Sequence, residues 1–320
     1  MPVALVKQAE QFGAAREAAR AELAAGLRQV PARLPPKYFY NALGSKLFEA
    51  ICLLDEYYLT RAEAGIFARF GAEIAAAAGV GVTLVDLGAG NCAKAAALFG
   101  VLRPRQYVPV DISVTFLEEA VGKLRMVYPQ VPMLPVGLDF SEHLRLPAEV
   151  RGSGRLFFYP GSSIGNFTPL QAAQFLRRVR GEAGRDGGLL IGVDLVKESC
   201  VLEAAYDDAL GVTAAFNLNA LQHANELLGS DFDVRDWRHV AFFNAEQKRV
   251  EMHLEARRGV DVTWPGGGRG FGEGERIHNE ISNKYSKRGF VELLEGCGFG
   301  AVSCFTDEAE RFLVCHARAV

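Results

Sequence analysis

Leu84-Val85-Asp86-Leu87-Gly88-Ala89-Gly90, running on into the alanine-rich stretch Ala93 to Leu98, decides the fold. A short apolar strand ends in an acid, the chain turns through two glycines, and a helix begins. That succession opens a nucleotide-binding βαβ unit. Glycine at 88 and 90 lets the backbone turn sharply and approach a ligand where a Cβ would collide. The helix start behind the turn offers N–H groups to a polar or negatively charged group.

The chain downstream repeats the rhythm. Gln106 to Asp111 reads as a second strand ending in an acid, 21 residues after Gly90. A carboxylate there can accept both ribose hydroxyls of an adenosine. A helix over Val114 to Val127 follows, then a third strand, Met133 to Val136, with Asp139-Phe140 just beyond it. An acid can accept from an adenine amino group, and an aromatic ring can cover the base. The fourth strand, Arg155 to Tyr159, enters Pro160-Gly161-Ser162-Ser163-Ile164-Gly165-Asn166-Phe167 ahead of a helix over Pro169 to Arg180. Asp186-Gly187-Gly188 then turns into a fifth strand, Leu189 to Asp194. Five strand–helix alternations predict an α/β, doubly wound parallel sheet with ligands at the carboxyl ends of its strands.

The flanks read differently. Residues 14–28 are strong helix formers with charges three and four apart, which predicts a surface helix. Residues 34–61 crowd tyrosines and phenylalanines beside charges. After 196 the rhythm breaks into a long helix over 199–228, β-like runs at 239–243, 248–257 and 260–264, and a flexible loop at 265–270. Glu280 and Ser282, two apart on a strand, share a face. The α/β pattern resumes with a helix over Ser286 to Cys297 and strands at 301–305 and 311–319. These breaks predict one domain from 62–196 and 285–320, and a second, smaller α+β domain from 1–61 and 197–284.

With 49% hydrophobic and 23% charged residues and a net charge of −3, the chain has no electrostatic footprint for nucleic acid or anionic membrane. No apolar run reaches the roughly 18 residues of a membrane span, and an early acid argues against a secretory signal. A cytoplasmic protein is expected. Six cysteines without a C-x-x-C pair predict reduced thiols, mostly in the core. The six histidines show no metal spacing, so no metal is expected, and His278 reads as structural or at a pocket rim. Oligomeric state is unreadable.

Two readings compete for the glycine turn. Gly88-Ala89-Gly90-Asn91-Cys92-Ala93 satisfies G-x-G-x-x-A, and Asp111 lies at a suitable distance, as in a nicotinamide-dependent oxidoreductase. Asp86, two residues before the first glycine, instead favours the D-x-G-x-G habit of S-adenosylmethionine (SAM)-dependent methyltransferases. A non-catalytic SAM-binding protein would carry the same turn.

Longer motifs narrow the choice. Pro35-Pro36-Lys37-Tyr38-Phe39-Tyr40, Glu56-Tyr57-Tyr58-Leu59-Thr60-Arg61-Ala62-Glu63, the Pro160–Phe167 segment, and Tyr206-Asp207-Asp208 with Phe216-Asn217 resemble the L-histidine Nα-methyltransferases of ergothioneine biosynthesis. The similarity runs from about residue 30 to the C-terminus. It implies a Rossmann-like class I methyltransferase sheet plus a family-specific domain. It also implies successive methyl transfers from SAM to the α-amine of L-histidine, leaving S-adenosylhomocysteine and ending at the trimethyl betaine, hercynine.

By the same resemblance, Tyr40, Gly88, Lys94, Asp111, Asp139 and Phe140 would hold the cofactor, with Lys94 on its carboxylate, Asp111 on the ribose, and Asp139 and Phe140 on the adenine. The substrate would meet Tyr57, Gly161, Asn166, Tyr206, Met252, Glu280 and Ser282. Asn166 and Tyr206 would fix its α-carboxylate, and Tyr57 and Gly161 would line the amine and imidazole region. Glu280 and Ser282 would bond the imidazole, and Met252 would pack on the ring. The amine's proton would go to Tyr57, the candidate catalytic residue, or to water. Met252 with Glu280 points to histidine over an indole amino acid such as tryptophan, which cannot use the carboxylate in the same way.

Overall fold

The computed structural model describes residues 3–140 and 143–320, and for residues 3–12, 14 and 15 the backbone only. The elements begin with helix α1 (Val3–Leu27), strand β1 (Ala32–Arg33), α2 (Ala42–Ile51), α3 (Tyr58–Ala78), β2 (Thr83–Leu87), α4 (Ala93–Ala97) and α5 (Phe99–Leu102). There follow β3 (Gln106–Asp111), α6 (Val114–Val127), β4 (Val136–Gly137), β5 (Arg155–Tyr159), α7 (Pro169–Ala183), β6 (Gly188–Asp194), α8 (Ser199–Ala204) and α9 (Val212–Leu228). The chain closes with β7 (Trp237–Asn244), β8 (Arg249–Ala256), β9 (Val260–Trp264), β10 (Gly267–Phe271), β11 (Arg276–Asn283), α10 (Lys287–Gly296), β12 (Phe299–Thr306) and β13 (Phe312–Ala319). They form two compact units, Met1–Tyr58 with Glu198–Ser282, and Leu59–Lys197 with Asn283–Val320.

The first unit holds a four-stranded sheet in the order β1-β11-β8-β7. Leu23 and Leu27 of α1, Leu221 and Leu228 of α9, Trp237, Leu254 and Ile277 close one apolar core over it. The expected surface helix therefore starts earlier, at Val3, and its last turns are core-bound, with Leu23 and Leu27 fully buried. The long helix expected over 199–228 is broken into α8 and α9. Asp208 accepts hydrogen bonds from Val212 N (3.0 Å) and Thr213 N (2.7 Å), and Gly211 takes φ +75°. A carboxylate that satisfies the first free N–H groups starts a new helix rather than continuing an old one. The expected loop at 265–270 is corrected to a hairpin. Trp264 pairs with Gly267 across Pro265-Gly266, with Gly266 at φ +83°, and the ladder runs to Val260 and Phe271. Proline followed by a left-handed glycine is the chemistry of a tight turn, which composition alone reads as a flexible link.

The second unit is a seven-stranded sheet, β12-β13-β6-β5-β2-β3-β4. Its strands from β6 to β4 run parallel, and β13 and β12 add antiparallel. β2 is buried along its whole length, as a strand covered on both faces requires. This is a Rossmann-like sheet. Its order reverses between β5 and β2, so the crevice for a ligand opens beyond their carboxyl ends, at Gly88 and Gly161. The expected third strand, Met133 to Val136, shrinks to Val136–Gly137 plus an isolated bridge from Met133 to Tyr107. Pro132 and Pro135 have no N–H to give to a ladder. Among the described residues no helix joins β4 to β5, so one expected alternation lacks its helix.

Candidate active site

In the second unit, Asp86 lies one residue before the end of β2, almost sealed from solvent, and the Tyr107 hydroxyl donates to it at 2.7 Å. Burial raises the Asp86 carboxyl to about 7, partly offset by the Tyr107 bond and the charge of Lys94. Gly88 and Gly90 sit at φ +72° and +51°, and Gly88 and Ala89 both donate to the Val110 carbonyl. A side chain at either glycine would be strained in this backbone.

Asp111 ties the turn to the next helix. Its Oδ2 accepts from Gly90 N at 3.0 Å and its Oδ1 from Ser113 N at 2.9 Å. Each carboxylate oxygen keeps a second lone pair, so acceptor capacity for two hydroxyls remains. Phe140 stands over the turn, its Cζ 3.7 Å from where a Cβ on Gly88 would lie, and its ring meets Tyr159 edge-on at 5.8 Å. Asp139, half-buried, precedes it. The helix behind the turn, α4, is only five residues long, and Ala93 N is already taken by Asn91 Oδ1. The expected helix-start donors are therefore not the feature of this turn.

Sequence reading missed Glu63, on α3. Its side chain is 1% exposed, its Oε2 pairs with Lys94 Nζ at 2.6 Å, and its Oε1 accepts from Gly161 N at 2.7 Å. The missing side chain of Gly192 on β6 leaves the space that this carboxylate fills. Glu63 thus joins the turn after β5 to the residue following the turn after β2. Lys94 Nζ lies 3.0 Å from the place of a Cβ on Gly161, itself at φ +78°. Asn166 closes the single helical turn Ser163–Asn166, whose flanking carbonyls at Gly165 and Phe167 accept from Asn283 Nδ2 at 2.8 and 2.7 Å. The only hint of Glu63 in the sequence was its place at the end of the tyrosine motif.

In the first unit the aromatic segment and the insert converge. Tyr57 and Tyr206 meet edge-on at 6.4 Å, and the Tyr206 hydroxyl donates to Ser282 Oγ at 2.7 Å. Burial pushes the Tyr57 phenol well above its ordinary pKa, reinforced by Tyr206, Cys52, Tyr40 and the charge of Glu280. Tyr40 caps Phe48 and Phe216 edge-on at 5.7 and 5.5 Å, and Phe48 meets Tyr57 at 6.2 Å. Met252 is buried on β8 opposite Ala241.

A polar chain supports Tyr206 from behind. Asn279 Nδ2 donates to Asn217 Oδ1 (3.0 Å), Asn217 Nδ2 to His239 Nδ1 (2.8 Å), and His239 Nε2 to the Tyr206 carbonyl (2.8 Å). Burial holds His239 below its ordinary pKa, so the neutral ring passes one hydrogen bond along. Elsewhere in this unit, Glu251, His253 and His278 bring ligand-type atoms within 4.8 Å of one another, which spacing in the sequence did not reveal. Arg249 binds Glu251 at 2.9 Å, and Arg249 and Arg276 both disfavour charge on His253. The surroundings already supply the positive charge a cation would bring.

The second unit's donor set suits an adenosyl amino acid: a carboxylate with spare lone pairs for a ribose, a ring over the turn for a base, and a half-exposed ammonium for a carboxylate. The profile of the family described as "Histidine-specific methyltransferase, SAM-dependent" matches residues 19–319. The chain belongs to this family. S-adenosylmethionine is accordingly the cofactor of this histidine-specific methyltransferase. The histidine N-alpha-methyltransferase of Mycolicibacterium smegmatis is 41% identical over 305 residues, 93% of this chain and 94% of its own. That of Mycobacterium tuberculosis is 40% identical over 302 residues, 92% and 93% of the two chains. "Ergothioneine biosynthesis protein 1" of Neurospora crassa is 32% identical over 286 residues, 86% of this chain but 32% of the longer fungal one. Among the described residues of this family member, no helix is long and apolar enough to cross a membrane.

Proposed function

We infer that this enzyme methylates the α-amine of L-histidine in successive steps to the trimethyl betaine, hercynine, as a step of ergothioneine formation in the cytoplasm. The observation that carries this reading is the Tyr57–Tyr206–Ser282 constellation beside the charge of Glu280, in a member of the histidine-specific family.

In this reading Tyr40, Gly88, Lys94, Asp111, Asp139 and Phe140 hold the cofactor. Bound there, S-adenosylmethionine supplies an activated methyl group on a sulfonium. Asp111 takes the ribose hydroxyls on its spare lone pairs, Phe140 covers the base beside Asp139, and Lys94, steadied by Glu63, pairs with the carboxylate.

A further set of residues handles the amino acid. Glu280 and Ser282 bond the imidazole, and Met252 packs on the ring. Asn166 and the Tyr206 hydroxyl, which turns from Ser282 as the substrate enters, hold the α-carboxylate, and Gly161 lines the amine region. A site built to bond an imidazole N–H discriminates strongly against an analogue that lacks that group. Tyr57, kept protonated by burial, is a lone-pair acceptor that aims the amine rather than a phenolate base, so the proton leaves through water. Positioning a neutral amine is the larger part of such a reaction.

Incubating the enzyme with histidine and S-adenosylmethionine should yield mono-, di- and trimethylhistidine by mass spectrometry. No methylated histidine, with methylation of another amino acid in parallel, would overturn the substrate assignment.

A further inference from the structure

Cys304 on β12 and Cys315 on β13 are Cα partners in the antiparallel ladder, and their Sγ atoms lie 3.5 Å apart. Both are free thiols, Cys304 half-buried and Cys315 buried. β12 is an edge strand of the seven-stranded sheet. Opposed residues of an antiparallel pair hold their Cα atoms about 4.5 or 5.5 Å apart, inside the span of about 4.4–6.8 Å that a disulfide bridges. A bond therefore requires the two sulfurs to rotate toward each other by about 1.5 Å, with no shift of register.

We propose that Cys304 and Cys315 form an oxidisable pair that closes to a cross-strand disulfide under hydroperoxide and reopens with thiol. The two sulfurs have different roles. A hydrogen bond from Cys315, with help from the Lys287 charge, holds the Cys304 thiol below its ordinary range, while Cys315 keeps its proton. Cys304 is thus the accessible nucleophile and Cys315 the resolving thiol. The Cys304 thiolate attacks one peroxide oxygen, the O–O bond breaks, and the departing hydroxide is protonated to water. The resulting sulfenic acid is attacked by the Cys315 sulfur. The S–S bond forms, the S–O bond breaks, and a second water carries away the hydroxyl with the Cys315 proton. Two thiols are oxidised by two electrons and one peroxide is reduced.

The test uses the full chain treated with hydrogen peroxide, alkylated and digested with trypsin. The intact mass should fall by about 2 Da and be restored by dithiothreitol. Peptide 289–311, which carries Cys297 and Cys304, should become linked to peptide 312–318, which carries Cys315. Cys304→Ser should abolish the link. Cys315→Ser should leave a sulfenic acid on Cys304 that dimedone traps. The proposal is overturned if wild-type protein keeps its mass, if Cys304 advances to the sulfinic acid with no linked peptide, or if the link survives Cys304→Ser. Should Cys315→Ser fail to fold, the wild-type and Cys304→Ser maps decide alone.

Discussion

Glu63 and Lys94 form an ion pair 2.6 Å long in which the carboxylate is sealed and the ammonium is half-exposed. The other oxygen of Glu63 is bound to Gly161 N. One buried acid therefore sets both a cation and a turn. Glu63→Ala should lower stability by about 1–3 kcal/mol, because Gly161 N loses its partner while Lys94 can hydrate. It should also weaken S-adenosylhomocysteine binding, with Glu63→Gln intermediate in both. Calorimetry and thermal melts check this. Unchanged affinity in Glu63→Ala would remove Lys94 positioning as its role.

Tyr57 stays protonated across the working range, since its phenol is raised by burial and by Glu280. Tyr57→Phe should lower kcat/KM about three- to tenfold, the worth of one hydrogen bond, while leaving the shape of the pH–rate profile unchanged. A basic limb present in the wild type and lost in Tyr57→Phe would make it a base after all.

The Tyr206 hydroxyl is bonded to Ser282 in a buried setting. Ser282→Ala should cost about 1–3 kcal/mol in urea unfolding, for a phenol left without its acceptor. Tyr206→Phe should cost about 0.5–1.5 kcal/mol, and the double variant should be less destabilised than the two single changes added together. Additive losses would mean that the two side chains do not interact in solution.

Glu280→Ala should weaken histidine binding by about 1–3 kcal/mol, roughly five- to 150-fold, and leave S-adenosylhomocysteine binding within error. Titrations with each ligand separate the two. Equal losses would place Glu280 outside the substrate residues.

The Asp86 carboxyl, raised from 3.8 to about 7 by burial, carries a sign that can be read in a melt. Between these values the folded chain holds a proton that the unfolded chain has released, so stability from this group falls as pH rises from about 4 to 7 and is flat above. The full span is on the order of 4 kcal/mol. Asp86→Asn can still accept from Tyr107 and should flatten that slope relative to wild type. Parallel pH–stability curves for the two proteins would show that Asp86 does not titrate in this window.

The strands β2, β3, β5 and β6 were legible because a parallel sheet needs apolar runs, and β2 and β3 are followed by glycines and acids that mark their carboxyl ends. Gly88, Asp111 and Phe140 were legible for the same reason, each lying within a few residues of a strand end. Glu63 was not. It sits on a helix among other charges, and only the absence of a side chain at Gly192 and the backbone donor of Gly161 give its carboxylate a place. The β9–β10 hairpin was hidden because Pro265-Gly266 followed by glycines has the composition of a linker, while its pairing depends on Val262, Trp264 and Phe271 reaching the core of the first unit.

By itself the sequence determined where most strands of the parallel sheet lie along the chain, the glycine turns at their ends and the family motifs. These follow from local backbone preference and from the spacing of apolar residues along one chain. Only the tertiary structure decided that Ser282 receives the hydroxyl of Tyr206, that Glu63 holds Lys94 and Gly161 together, and that two cysteines on neighbouring strands face each other. Such pairings join residues 11 to 98 positions apart, and burial and register, which no local pattern encodes, select them.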